Sequence, residues 1–444
     1  MKRSSIVYFL FLLSGITALV YEIVWARMLT LVFGHTIFSV SIVLAAFMTG
    51  LGFGSYYFGH VIDHIGNESK YLDGDNFKEN LTEGSRPDNP LLIYGYIEIL
   101  IFLTCSIVSL VLFKFPDIYS WLSYFVPESV VIQNTVKALL AFALMLIPAF
   151  LMGATLPTIS KYFISDNTKI CSQVGVLYGI NTLGAALGCF LTGFFLVATF
   201  GVLQTVLSAA IINLFIGICA IRIYQESGGI LKRIRVPRLA RFSFKWEREH
   251  NVWLAVSFVC GFTALAYEVI WSRLLVFSIA STVYSFSMML GVFLLGIMLG
   301  SLLVVTLSRS NLNLRTVLIF LQAGIGLYVI GSLYNIDQLL SAPWNGYNLQ
   351  KPIFVFSRYF LDSSALMLLP AIGLGMSFPI LVKMISSGCK HIGKETGQIY
   401  GVNTLGAIAG SLLTGFLLIP KLGTQQSLLL VATLNLLMML FLFR

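Results

Sequence analysis

Charge is scarce in this chain: Lys, Arg, Asp and Glu supply 11% of its 444 residues against 57% hydrophobic. The mean hydropathy of +0.89 lies far outside the range of proteins that fold in water. Long polar stretches are missing as well; the longest reach about thirty residues, too short to hold a soluble catalytic domain. The six cysteines, Cys105, Cys171, Cys189, Cys219, Cys260 and Cys389, show no CxxC spacing. That argues against a disulfide framework and against a zinc site, and no metal or cofactor is expected. Segments of about ten alternating residues, the mark of a membrane barrel, are absent, which leaves helices as the spanning element.

What is present is a series of a dozen apolar runs, near 6–33, 36–62, 91–113, 131–162, 173–199, 202–223, 252–278, 282–308, 315–334, 353–385, 396–420 and 425–443. A hydrocarbon core about 30 Å thick requires roughly 20 apolar residues per helix, and each run meets that need. The basic N-terminus, Lys2 and Arg3, followed by an apolar run resembles a secretory signal. However, GITALVYEIVWAR at 15–27 recurs as GFTALAYEVIWSR at 261–273, deep in the chain, so the first run is read as a retained helix.

This recurrence extends over most of the sequence. At an offset of 246, Thr36, Ser39, Gly50, Gly54 and Ser55 match Thr282, Ser285, Gly296, Gly300 and Ser301. At an offset of 222, PAFLMGATLPTISK (148–161) returns as PAIGLGMSFPILVK (370–383), and YGINTLGAALGCFLTGFFL (178–196) as YGVNTLGAIAGSLLTGFLL (400–418). The difference of 24 residues falls mainly in the polar segment 63–90, an insertion in the first half only. Each half holds six helices, an even number, so the repeat is parallel. The expected division is 1–223 for an N-terminal six-helix bundle, 224–250 for a basic linker and 251–444 for a C-terminal bundle. Eight basic residues lie between Arg222 and Arg248. By the positive-inside rule they hold the linker and both termini in the cytoplasm, as in a multi-pass protein of a bacterial inner membrane. The net charge of +9 thus reflects topology and anionic lipid heads rather than nucleic acid.

ALVYEIVWAR, the following FGHTIFSVSIVLAAFMTGLGFGSYYFG, MGATLP and YGINTLGA together resemble the membrane region of the fused major-facilitator/spermidine-synthase family, over nearly the whole chain. The resemblance implies an all-α membrane protein of about twelve transmembrane helices, arranged as two parallel six-helix repeats in a major-facilitator-like body. Members of that family usually carry a soluble aminopropyltransferase domain after the helices. This sequence reaches Arg444 directly after its last apolar run, so the synthase activity is not expected of it. A second resemblance lies in GHVIDHIGNESK (59–70), where Gly59, Asp63 and Gly66 follow the major-facilitator loop pattern, although His64, Asn67 and Glu68 stand where basic residues are usual. The matching segment of the second half, 301–311, lacks the pattern.

An ionisable group in mid-membrane costs at least about 2.5–3.5 kcal/mol and normally faces the bundle interior. Glu22 and Glu268 are such groups, each preceded by a tyrosine and placed equivalently by the repeat. They stand either as proton- or substrate-binding groups or as hydrogen-bonded pins between helices. Arg27 and Arg273 are candidate charge partners, but five residues from each carboxylate they lie about 140° away around the helix. On the fifth and eleventh helices, Tyr178, Asn181, Gly188 and Thr192 share one face, as do Tyr400, Asn403, Gly410 and Thr414. Close packing explains the glycines, whereas a central cleft also gives the tyrosines and asparagines a use. Glu98 has Gln322 as its counterpart and reads as structural. Lys137 and Arg358, further candidate charge partners, occupy similar places, with Asp362 one turn beyond Arg358. Pro148, Pro157, Pro370 and Pro379 predict two breaks or kinks in each of the fourth and tenth helices, beside the hinge candidates Gly153 and Gly375.

Three functions fit. The first is a transporter that moves a small, cationic, polyamine-like solute with proton coupling; the polyamine link follows from the resemblance alone. The second is a membrane scaffold for a separate soluble aminopropyltransferase-like partner. The third, an enzyme with an intramembrane site, ranks last, because no nucleophile–base pair or metal constellation is visible.

Overall fold

The computed structural model describes residues 3–33, 36–68, 89–127, 129–164, 166–227, 248–278, 283–308, 312–334 and 352–443. Most of the polar insertion and of the basic linker therefore lies outside the described residues, as do the side chains of His64, Gly66, Asn67 and Glu68.

Among the described residues the chain is an all-α membrane protein without strands. The first half comprises α1 (Arg3–Phe33), α2 (Thr36–Glu68), α3 (Asn89–Phe113), α4 (Val130–Gly153 continued by Thr155–Phe163), α5 (Ile170–Leu191) and α6 (Val197–Glu226). The second half comprises α7 (Arg248–Ser278), α8 (Val283–Leu307), α9 (Leu314–Tyr334), α10 (Pro352–Ile385), α11 (Ile392–Leu413) and α12 (Ile419–Phe443). Ten helical stretches are long and apolar enough to cross a membrane, and two of these, Ile170–Glu226 and Ile392–Phe443, run to 57 and 52 residues. A straight helix of that length would measure about 80 Å, far more than one bilayer core. Each is divided by a glycine with positive φ, Gly201 (φ 76°, ψ 175°) and Gly423 (φ 80°, ψ 171°). A Cβ disfavours this conformation, which is open to glycine. The division makes twelve crossings, and an even number puts both termini on one face.

The repeat governs the packing. In the first half α1 packs on α5 and α6, α3 on α6, and α2 on α4; α7, α9 and α8 repeat these pairings with α11, α12 and α10. Glycines close the seams in equivalent positions. A Cβ on Gly184 or Gly188 would collide with the carbonyl oxygens of Leu12 or Ile16, and one on Gly406 or Gly410 with those of Phe258 or Phe262. Such small residues let helices approach closely where lipid offers no hydrophobic drive to association. Gly153 and Gly375 belong to the same class, pressed on Leu51 of α2 and Ile297 of α8. The halves join through α2 against α11 and α5 against α8.

The prolines act less than their number suggests. α4 is interrupted once, at Ala154, whereas α10 runs unbroken from Pro352 to Ile385 through Pro370 and Pro379, so of the two breaks or kinks expected in each helix one is a break. Pro157 falls in the first turn of a helical segment, where its missing N–H has no partner to lose. In the membrane, neighbouring helices help a chain to pass a proline without breaking.

Four apolar clusters fill the interior of the described residues. Toward the face bearing the termini one cluster joins both halves, with Val7, Leu10, Phe11 and Ile159 packed together with Leu254, Leu381 and Ile399. Further along the helices each half has its own, built around Trp25 and Phe47 in the first and around Trp271 and Phe293 in the second, and a small cluster of Ile23, Cys189 and Leu290 joins the halves beside the carboxylates.

Candidate functional site

Glu22 and Glu268 lie two helical turns beyond Gly15 and Gly261, on the faces of α1 and α7 that α5 and α11 cover. They are 7% and 5% exposed. The two carboxylates, one from each half, are within electrostatic reach of one another, and Cys189 of α5 is within reach of both. Among the described residues neither carboxylate has a hydrogen-bond or ion-pair partner. Tyr400 lies within reach of Glu22, and Tyr178 within reach of Tyr400. The ring of Phe378 fills the space between these tyrosines, 4.5 Å from Tyr178 and 5.8 Å from Tyr400, centroid to centroid. The carboxylates and tyrosines singled out in the sequence thus gather where the halves meet.

The asparagines are placed differently. Asn181 presents its backbone carbonyl and side-chain oxygen to Gly15, and Asn403 presents its carbonyl to Gly261. Asn403 also donates from Nδ2 to the Ser257 carbonyl at 3.2 Å. Both therefore stand in the α1/α5 and α7/α11 seams.

None of the four candidate cations reaches the carboxylates. Arg27 and Arg273 are exposed, on the far side of their helices as the spacing requires. Lys137 lies 4.5 Å from the centroid of the Tyr119 ring. Arg358 pairs with Asp362 at 3.1 Å, one turn along α10. Among the described residues these two buried carboxylates are therefore left without a counter-charge, an arrangement open to an incoming cation.

Two features escaped the sequence reading. The first is a π-helical turn following α5 and another following α11, Thr192–Leu196 and Thr414–Leu418. Thr192 and Thr414 are fully buried there with unpartnered hydroxyls. Such turns frequently occur at functional sites. The second is a hydrogen-bond train behind each carboxylate. Tyr21 donates to Asn213 Oδ1 at 2.8 Å, and Asn213 Nδ2 to Glu98 Oε2 at 2.6 Å. In the second half Tyr267 donates to Asn435 Oδ1 and Asn435 Nδ2 to Gln322 Oε1, both at 2.6 Å. A lone asparagine at matching places in the apolar α6 and α12 was the available signal.

The face bearing the termini is tied across the halves. Asp63, at the end of α2, pairs with Lys161 of α4 at 2.6 Å and accepts the backbone N–H of Lys394 at 2.7 Å, in the first turn of α11. A carboxylate is favoured at a helix N-terminus, where N–H groups lack partners. Asn167 forms a second tie, its Oδ1 accepting from Cys389 N–H and its carbonyl from Lys383 Nζ, each at 2.8 Å.

Twelve helices in two parallel repeats, meeting at a polar centre, define the major-facilitator fold. The chain is similar over its full length to solved structures of that fold. One is the major-facilitator transporter FucP in the outward conformation, with TM-score 0.58, 12% identity and coverage of 100% of this chain and 98% of that one. Another is a bacterial homologue of the iron transporter ferroportin in its outward-facing state, with TM-score 0.57, 13% identity and coverage of 100% and 98%. A third is the proton:xylose symporter XylE, with TM-score 0.55, 12% identity and coverage of 100% and 96%. At such identities the likeness is one of fold. No family model matches the sequence, and no curated protein matches it.

Proposed function

We propose that this chain is a secondary transporter, in which the two halves rock about the central cleft and Glu22 and Glu268 bind a proton or a small cationic solute. The observation that carries the reading is the pair of buried, unpartnered carboxylates within electrostatic reach of one another at equivalent positions of the two halves. Tyr178 and Tyr400 line the same site, and Asn181 and Asn403 fix the helix seams on which its geometry depends. A carboxylate that alternates between a dry, neutral state and a charged state beside a bound cation exchanges protons for solute. The polyamine-like character of that solute rests on the sequence resemblance to the fused spermidine-synthase family alone. The scaffold reading rests on that resemblance alone and is not carried further.

In this proposal the bundles are residues 1–223 and 251–444, joined by the basic linker 224–250, and both termini lie in the cytoplasm of a bacterial inner membrane. The ties at Asp63 and Asn167 and the shared apolar cluster then seal the cytoplasmic side. The test is solute flux into proteoliposomes. Glu22→Gln and Glu268→Gln preserve shape but remove the titratable charge, so each should fold and lose flux or its pH dependence. Gln variants that transport as the parent does, with the same pH profile, would overturn the mechanism.

A further inference from the structure

The internal repeat carries information about a proton. Glu98 is fully buried within the first half, and its place in the second half is taken by Gln322, also fully buried. The surroundings correspond at the asparagine and at the residue on the first helix of each half. Glu98 Oε2 accepts from Asn213, as Gln322 Oε1 accepts from Asn435. The remaining atom of Gln322, the amide nitrogen, donates to Cys260 Sγ at 3.6 Å and to Ser377 Oγ at 3.3 Å. The residue matching Cys260 in the first half is Ser14, which stands beside the Glu98 carboxyl together with Tyr94. Glu98 Oε1 thus occupies the position of a donor, and it is buried without receiving a hydrogen bond.

We propose that Glu98 is a neutral carboxylic acid in the folded protein, that its proton sits on Oε1 and is directed to Ser14 or Tyr94, and that it serves as a positioning residue for Glu22. The titratable groups around it are Tyr21 of α1 and Tyr94 and Cys105 of α3. Its surroundings include no cation, so an ionised carboxylate there would be a buried charge without compensation. As an acid it does what the amide does in the second half: it holds Asn213, which holds Tyr21, and so sets the rotation of α1 that turns the adjacent Glu22 toward the cleft. This assignment stands whether or not the cleft transports anything.

Infrared difference spectroscopy of the purified protein at neutral pH tests it, with Glu98→Gln compared against the parent. The carbonyl stretch of a protonated carboxyl should be lost in Glu98→Gln and retained in the double variant Glu22→Gln/Glu268→Gln, and thermal unfolding of Glu98→Gln should match the parent. Loss of an ionised-carboxylate band instead would overturn the proposal. So would failure of Glu98→Gln to fold, because the second half demonstrates that an amide suffices. The reciprocal Gln322→Glu should fold and gain a protonated-carboxyl band; a gain of carboxylate signal counts against the reasoning.

Discussion

Replacement of Asp63 by Asn separates the electrostatic part of the seal from its hydrogen bond. The Asp63 and Lys161 side chains are 7% and 10% exposed, so the pair is effectively buried and little of its interaction is screened by water. The amide still accepts the Lys394 N–H, but it leaves the Lys161 ammonium facing a neutral group. Removing one partner of a buried pair costs about 3–5 kcal/mol. The surviving acceptor places this change at the lower end, about 3 kcal/mol, or roughly a hundredfold in an equilibrium constant at 1.4 kcal/mol per factor of ten. Lys161 also donates to the Cys389 carbonyl of the other half, and its uncompensated ammonium regains water when the halves part, so the penalty falls on the sealed state and shifts the population toward opening. Cys389 is a built-in reporter: it is half-buried, and its backbone is held by Asn167 and, at 3.4 Å, by Lys161. In a variant with the other five cysteines replaced, a membrane-impermeant maleimide added at the terminus-bearing face should alkylate Cys389 up to about a hundredfold faster after Asp63→Asn. Lys161→Met should act in the same direction. The double variant should recover much of the difference, since neither buried charge then remains. Parent-like rates in both single variants would refute the argument.

Reporter fusions after residues 75, 165, 240 and 392 should read as cytoplasmic and those near 122 and 345 as external; an external result at 240 contradicts the parallel six-plus-six arrangement. Gly184→Val and Gly406→Val force a side chain into the Leu12 and Phe258 carbonyls, and should lower stability by about 1–3 kcal/mol or more, seen as reduced thermal stability in detergent. Asn213→Ala should cost about 1–3 kcal/mol by stranding Tyr21 and Glu98, measurable by the same assay, with Asn435→Ala similar in the second half. The exposed Asp166 carboxyl is lowered to about 2, chiefly by hydrogen bonds from the Thr168 hydroxyl and backbone. That contribution is complete above the ordinary value near 4 and fades as pH falls toward 2. Thr168→Ala should move the titration upward, followed by NMR.

The repeat was legible because the pressure that preserves it is local. Gly15 and Gly261, or Gly188 and Gly410, must remain small wherever helix backbones touch, so the matched offsets marked the seams before any coordinates were known. The structural character of Glu98 was legible for a related reason, its exchange for Gln322. Its partners were not, since Tyr21 reaches across the bundle to Asn213, 192 residues away, and helical periodicity says nothing about which helices are neighbours. Angular spacing correctly separated Glu22 from Arg27. It could not show that Lys137 is held by Tyr119. Proline content could not tell a break from a bend, and α10 passes Pro370 and Pro379 without a break.

Gly201 and Gly423 have a mechanical corollary. Each kinks the chain at one residue near the start of α6 or α12, so α5 and α6, like α11 and α12, are joined without a loop that could lengthen or slacken. α5 lies in the seam between the halves, whereas α6 carries Asn213 and is anchored to Tyr21 and Glu98. A displacement at the seam is thus passed to the anchored helix through continuous helical backbone, with a single glycine at the bend.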